Sequence, residues 1–172
     1  SYPTTTGVIK GGFNYSHGSQ AFGAYYRYNP ERGSFNNTGS EWMDDQAPIL
    51  RNIDKRIRAH SHLASLYYEN VFAEKYLLHF DGDFRRSKEN NSVATTYPES
   101  SHPAVNSKDE RTSTLLAGKL CLNFPLLAGD FTVGTQDSYT HTSLDYRMLN
   151  SSVSEYIPSS MTDARQTSAA LF

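Results

Sequence analysis

The sequence predicts an all-β fold, an antiparallel up-and-down meander of about six to seven strands. Three observations carry this. Apolar and aromatic residues recur with period two in a series of short runs. The runs are separated alternately by brief turns and by long polar stretches. The chain also holds 12 Tyr, 9 Phe and 1 Trp in 172 residues, and aromatic side chains suit a pleated, half-buried surface.

The first run covers Gly7 to Tyr15. Ile9, Gly11, Phe13 and Tyr15 share one face, and Lys10, Gly12 and Asn14 the other. A short turn, Ser16-His17-Gly18-Ser19, leads into Ala21 to Tyr28, where Phe22, Ala24, Tyr26 and Tyr28 share a face. The two runs read as a hairpin. Residues 29–55 contain Pro30, Gly33, Asn36-Asn37, Gly39, Asp44-Asp45 and Pro48, and read as a long loop. Ile57 to Tyr68 is the third strand, of ambiguous register. After a reversal near Val71-Phe72-Ala73, Tyr76 to Phe84 is the fourth, with Tyr76, Leu78, Phe80, Gly82 and Phe84 on one face.

Residues 86–112, with Asn90-Asn91, Pro98, Pro103 and the charged run Lys108 to Arg111, read as a second long loop. Leu115 to Phe124 is the fifth strand and places Leu116, Gly118, Leu120, Leu122 and Phe124 together. A turn over Pro125 to Gly129 leads to a sixth strand from Phe131 to about Thr142. Residues 145–165 read as a third long loop, and Gln166 to Phe172 as the start of a seventh strand. The three long connections are expected at one end of the sheet, opposite Ser16–Ser19.

Alternation alone does not separate a membrane barrel from a soluble β-sandwich. In the first the apolar face meets lipid; in the second it is the core. Two features favour the barrel. Loops longer than about 12–15 residues are uncommon in compact domains, and runs of this length match the about 9–11 residues that a tilted strand needs to cross hydrocarbon.

Composition excludes other classes. The net charge is -2, so no basic stripe for nucleic acid is expected. One cysteine, Cys121, leaves no internal disulfide framework and no Cys-rich zinc site. No apolar run approaches a spanning helix, and Ser1-Tyr2-Pro3 does not open a signal peptide. The expectation is therefore a chain without signal peptide or spanning helix.

The second half carries a resemblance. Ala117-Gly118-Lys119-Leu120-Cys121-Leu122-Asn123-Phe124-Pro125-Leu126 leads to Gly129-Asp130-Phe131-Thr132-Val133-Gly134-Thr135. Tyr139-Thr140-His141-Thr142, Asp145-Tyr146 and Tyr156-Ile157-Pro158-Ser159-Ser160 follow in order. Upstream stand Leu66-Tyr67-Tyr68 and Phe80-Asp81-Gly82-Asp83-Phe84. This ordered set, from about Gly7 to Leu171, resembles the barrel region of TonB-dependent receptors of the outer membrane.

The resemblance implies that 1–172 is a section, without plug or signal peptide, of a larger transmembrane β-barrel of about 22 strands in the outer membrane of a Gram-negative bacterium. It implies a plug domain, the TonB system and the lipid bilayer as partners, and uptake of a nutrient that the sequence does not identify. Asp137 departs from the pattern because it falls on the nominal lipid face. It is expected either at a bulge or above the membrane. A soluble β-sandwich or small β-barrel binding module is the alternative, and no motif supports a hydrolase.

Few residues invite a chemical role. Trp42 and Tyr97, in the long loops, are the candidates for stacking on a ligand. His60 and His62 share a strand face but lack a third ligand for zinc. Asp81 and Asp83 read as a hydrated or plug-contacting pair rather than an acid/base pair. Asp44-Asp45 lacks the spacing of a calcium loop. No cofactor, metal site or catalytic residue is expected. In water the apolar face is expected to be buried, either by the sheet curling on itself or by pairing of copies as a homo-oligomer.

Overall fold

A computed structural model describes residues 3–42 and 48–172. Within them the chain is a single antiparallel sheet. Its strands are β1 (Thr4–Thr6), β2 (Ile9–His17), β3 (Gln20–Glu41), β4 (Ile49–Phe72), β5 (Tyr76–Thr96), β6 (Val105–Leu126), β7 (Gly129–Met148) and β8 (Ser160–Leu171), with a short helix α1 (Ser151–Ser154) before β8. Each strand from β3 to β8 pairs with the next, and β1 and β2 both pair with β3. This is the expected meander. Among the described residues no helix is long and apolar enough to cross a membrane.

Pro30 explains why the first strand is split. Thr6 pairs with Glu31 and Ile9 with Tyr28, so β1 and β2 keep one register across the interruption at Gly7 and Val8. Proline has no N–H for the ladder, and the break lies opposite it. Gly7 still donates its N–H to the Pro30 carbonyl at 3.0 Å. A β-carbon on Gly7 would stand 3.2 Å from the Pro30 ring.

The connections occupy two ends, as expected. Tight turns at Gly18–Ser19, Ala73–Lys75 and Leu127–Ala128 lie at one, and the connections over 97–104 and 149–159, with the paired ends of β3 and β4 at Glu41 and Ile49, at the other. Their extent corrects the sequence reading. Most of 29–55 and 86–112, and the two ends of 145–165, are paired strand, with unbroken ladders from Asn29↔Ser61 to Glu41↔Ile49 and from Arg86↔Thr114 to Thr95↔Val105. Asp44-Asp45 lies outside the described residues.

The physical reason is that period two is visible only where one face is apolar. Beyond Tyr28 both faces carry polar side chains. Backbone hydrogen bonds hold such a ladder without any side-chain signal. Pro30, Gly33 and Asn36-Asn37 therefore read as turn formers although they lie in extended, paired backbone.

The pairing resolves the ambiguous register of β4 and aligns the apolar residues in rows. Phe124 faces Phe131, Leu122 faces Val133, Leu120 faces Thr135, Gly118 faces Asp137 and Leu116 faces Tyr139. The rows continue through Leu78, Phe80, Gly82 and Phe84 of β5 and Leu66 and Tyr68 of β4. From Phe124 to Leu116 the band runs about 27 Å along the strand at the usual antiparallel rise. Its lower border is aromatic, with Phe72 stacked on Tyr76 at 5.3 Å and Phe124 on Phe131 at 6.3 Å.

Asp137 fits neither expectation. The β6–β7 ladder runs from Leu126↔Gly129 to Ser107↔Met148 without a bulge. Asp137 lies inside the band, between the rows of Leu120 and Leu116. It accepts a hydrogen bond from Thr135 Oγ1 at 2.9 Å. Glycines 82 and 118 share its row and leave a groove of about 910 Å³ across the apolar face.

The sheet does not curl to cover that face, which removes one of the two expected ways of burying it. Leu116 is 56% and Leu120 42% exposed, and the buried apolar residues are Cys121, Met148 and Val153 among those described. Folding a sheet on itself needs corners, which bulges supply. Every ladder from β3 to β8 keeps a constant register, so no corner exists.

Candidate ligand-contact site at the loop end

The polar face and the loop end are where this sheet offers chemistry. Tyr97 follows directly on β5. The Ser100 hydroxyl accepts a hydrogen bond from the His102 backbone N–H at 2.9 Å and also meets its ring Nδ1. That turn brings the His102 ring to 5.7 Å from Tyr97. α1 follows Asn150, whose Oδ1 accepts from the Asn106 N–H at 2.6 Å, and it carries buried Val153 towards the same spot.

The result is a cavity of about 210 Å³ whose lining includes Tyr97, His102, Pro103, Val153 and Tyr156. Glu41 and Ile49, also in the lining, are paired with each other and lie on the polar face. Glu41 accepts a hydrogen bond from Arg51 at 3.4 Å. The cavity is bordered by aromatic and imidazole rings and by the Glu41 carboxylate.

Of the two stacking candidates, the structure builds Tyr97 into this cavity. Trp42, next to Glu41, is 74% exposed and outside it. Sequence reasoning missed His102 and Tyr156. The available signal was that aromatic and histidine residues recur in the second and third connections. The loops gave no means of knowing that they converge.

The polar face below is a wall of hydrogen-bonded charges. Ser65 donates to Asp83 at 2.6 Å, and His79 bridges Glu69 at 2.9 Å and Asp81 at 2.6 Å. Asp81 and Asp83 thus share a face, as expected, but each has its own partner. Asn14, Tyr67, Lys119 and Gln136 complete a concavity of about 380 Å³ there. Cys121, a free thiol, sits opposite His79 on this face.

His60 and His62 lie on the opposite, apolar side, 5.7 Å apart between ring centres. Tyr26 hydroxyl meets His62 Nδ1 at 2.7 Å, and the Tyr28 ring lies 4.8 Å from His62. Among the described residues no group of three or more His, Cys, Asp or Glu is placed to hold a metal.

Near the loop end, Arg147 donates to Asp145 from Nε at 2.9 Å. That hydrogen bond, with the charges of Arg147 and Lys108, holds the Asp145 carboxyl below its ordinary range. A depressed carboxyl pKa contributes stability above the unfolded-state value, and the contribution is lost as pH falls through the folded value. We expect Arg147→Gln to raise the Asp145 midpoint in a carboxyl NMR titration. An unchanged midpoint would show that the pair does not form in solution.

No family model matches the sequence, and no curated protein matches it. Solved structures do. The ferric yersiniabactin uptake receptor FyuA from Yersinia pestis is 16% identical, with a TM-score of 0.63 over 98% of this chain and 24% of that one. The ferric citrate transporter FecA, in its unliganded form, is 9% identical, with a TM-score of 0.58 over 99% of this chain and 24% of that one. BauA, the ferric preacinetobactin receptor from Acinetobacter baumannii, is 12% identical, with a TM-score of 0.52 over 99% and 28%. The chain spans about a quarter of the length of these proteins, and at such identities the likeness is one of fold.

Proposed function

We propose that this chain, which has the fold of a TonB-dependent receptor barrel segment, forms part of the wall of an outer-membrane receptor. In this reading the receptor takes up a small nutrient with energy delivered through the TonB system. The observation that carries the reading is the two-faced sheet. An apolar band tall enough to cross hydrocarbon backs a polar wall, and all long connections lie at one end. The polar wall around Asp81, Asp83 and Lys119 then faces the lumen and a plug domain. The Tyr97 cavity lies on the lumen side of the outer end, where an incoming solute meets it. The chain supplies wall and loops and performs no chemistry.

The three similar structures are each named for a ferric complex, which makes iron chelates the first cargo to test. Cells expressing the receptor are compared with cells lacking its gene and with cells carrying Tyr97→Ala or Trp42→Ala. Uptake of radiolabelled ferric chelates is measured under iron limitation. Loss of uptake of one chelate on deletion is expected. Tyr97→Ala is expected to raise the half-saturating concentration about fivefold or more, the effect of removing an aromatic anchor worth about 1 kcal/mol. Fractionation of the protein away from the outer membrane would defeat the reading.

The bare apolar face has a further consequence in this reading. Without lipid, copies of the chain associate through it, since the patch exceeds the about 300–600 Å² usual on a soluble monomer. Light scattering in detergent-free buffer is expected to give a multiple of 19.3 kDa, and detergent is expected to disperse it. A monomer in plain buffer would refute this.

A further inference from the structure

Asp137 puts a carboxylate inside the apolar band, where it accepts a hydrogen bond from the Thr135 hydroxyl at 2.9 Å. Its row on that face runs from Phe13 on β2 to Ala169 on β8. Among the described residues no lysine, arginine or histidine stands in this row or in the rows next to it on the same face. An ionisable side chain in hydrocarbon is costly and calls for a partner. The partner of Asp137 therefore comes from outside the sheet.

The groove gives that partner its shape, and the tyrosines give its depth. Gly82 and Gly118 stand beside Asp137 in its row, between a ridge of Phe84 and Leu116 and a ridge of Phe80 and Leu120. A β-carbon on Gly118 would meet nothing nearer than the Asp81 carbonyl oxygen, at 3.9 Å, so the floor there is open. The resulting volume of about 910 Å³ lies within the range of about 300–1,000 Å³ usual for ligand sites. Tyr26 and Tyr139 occupy the next row towards the loop end, about 7 Å along the strand. Tyrosines at this position mark a membrane–water interface. Asp137 is therefore one row inside the interface, the level at which a lipid's head joins its chain.

We propose that this groove binds a long-chain amine lipid, with its ammonium on Asp137 and its chain lying between the two ridges. The inference rests on the membrane reading given above and adds a ligand to it. A soluble amine would gain only the carboxylate. In a phosphatidylethanolamine the ammonium lies outside the phosphate, too far from the band, and the phosphate would face the carboxylate. An amine borne directly on the head of the chain meets Asp137 at its own depth, which is why it is the occupant.

The test is electron paramagnetic resonance of the full chain in phosphatidylcholine vesicles, with spin-labelled octadecylamine compared with spin-labelled phosphatidylcholine. The motionally restricted fraction of each label reports its contact with the sheet. We expect the amine to be preferred about fivefold, the size of one ion pair. Asp137→Asn should abolish the preference, and so should Gly118→Leu, which fills the groove and keeps the carboxylate. Asp130→Asn, which removes the same charge from the polar face, should keep it. A preference that survives in Asp137→Asn or Gly118→Leu, or that is lost equally in Asp130→Asn, would overturn the amine site alone. No preference in the unaltered chain, together with dimers in the vesicles that Asp137→Asn disperses, would give the groove to a second copy and overturn the amine site too. No restricted phosphatidylcholine at all would overturn the membrane reading and this site with it.

Discussion

Leu120→Arg is expected to destabilise the lipid-embedded chain by about 2–4 kcal/mol, while Ala117→Arg leaves it within about 0.5 kcal/mol. The two residues lie on β6, three positions apart, and face opposite sides. Leu120 is in the middle row of the apolar band, between Phe80 and Thr135. A guanidinium there enters hydrocarbon with no partner. Ala117 stands opposite Asp83 on the polar face, where a new arginine meets a carboxylate. Reversible urea unfolding in phosphatidylcholine vesicles, followed by Trp42 fluorescence, measures both. Equal costs would mean that the two faces do not see different solvents, and the barrel reading would fail.

Gly23→Val is expected to cost about 1–3 kcal/mol, the range for forcing bulk into a filled position. The same substitution at Gly11 is expected to be neutral or slightly stabilising, because valine suits a strand. Gly23 is buried in β3, between β2 and β4. A β-carbon there would stand 2.5 Å from the Tyr67 ring and 2.8 Å from the Phe13 carbonyl oxygen, and would also meet the Asn14 side chain. Tyr67 and Asn14 can rotate; the carbonyl belongs to the ladder. At Gly11 nothing lies within 4 Å. Unfolding measured as above compares the two, and equal effects would show that Tyr67 does not lie over Gly23.

The apolar face of the sheet was legible residue by residue. Phe13, Phe22, Leu78, Phe80, Leu120 and Leu122 fall on it because successive side chains of a strand point to opposite faces and only one of the two is apolar. Above that level the signal stops. Around Asn36, Asn37 and Gly39 the sequence carries turn-forming residues and no period, yet these three pair with Asp54, Ile53 and Arg51 in that order. The candidate site was half legible. Tyr97 stood out as a loop aromatic, but His102 and Tyr156 reach it only through the Ser100 turn and α1.

By itself the sequence determined the class of fold, the order of the strands, the face each apolar side chain takes outside β4 and the end at which the longer connections lie. These are local properties, set by alternation and by turn chemistry within neighbouring residues. Only the tertiary structure decided how far the ladders extend and how the register of β4 runs. It alone placed Asp137 inside the apolar band, in the row of Gly82 and Gly118. Each of these depends on which residue of one strand stands opposite which residue of another. That pairing is made by backbone hydrogen bonds, which carry no side-chain signature.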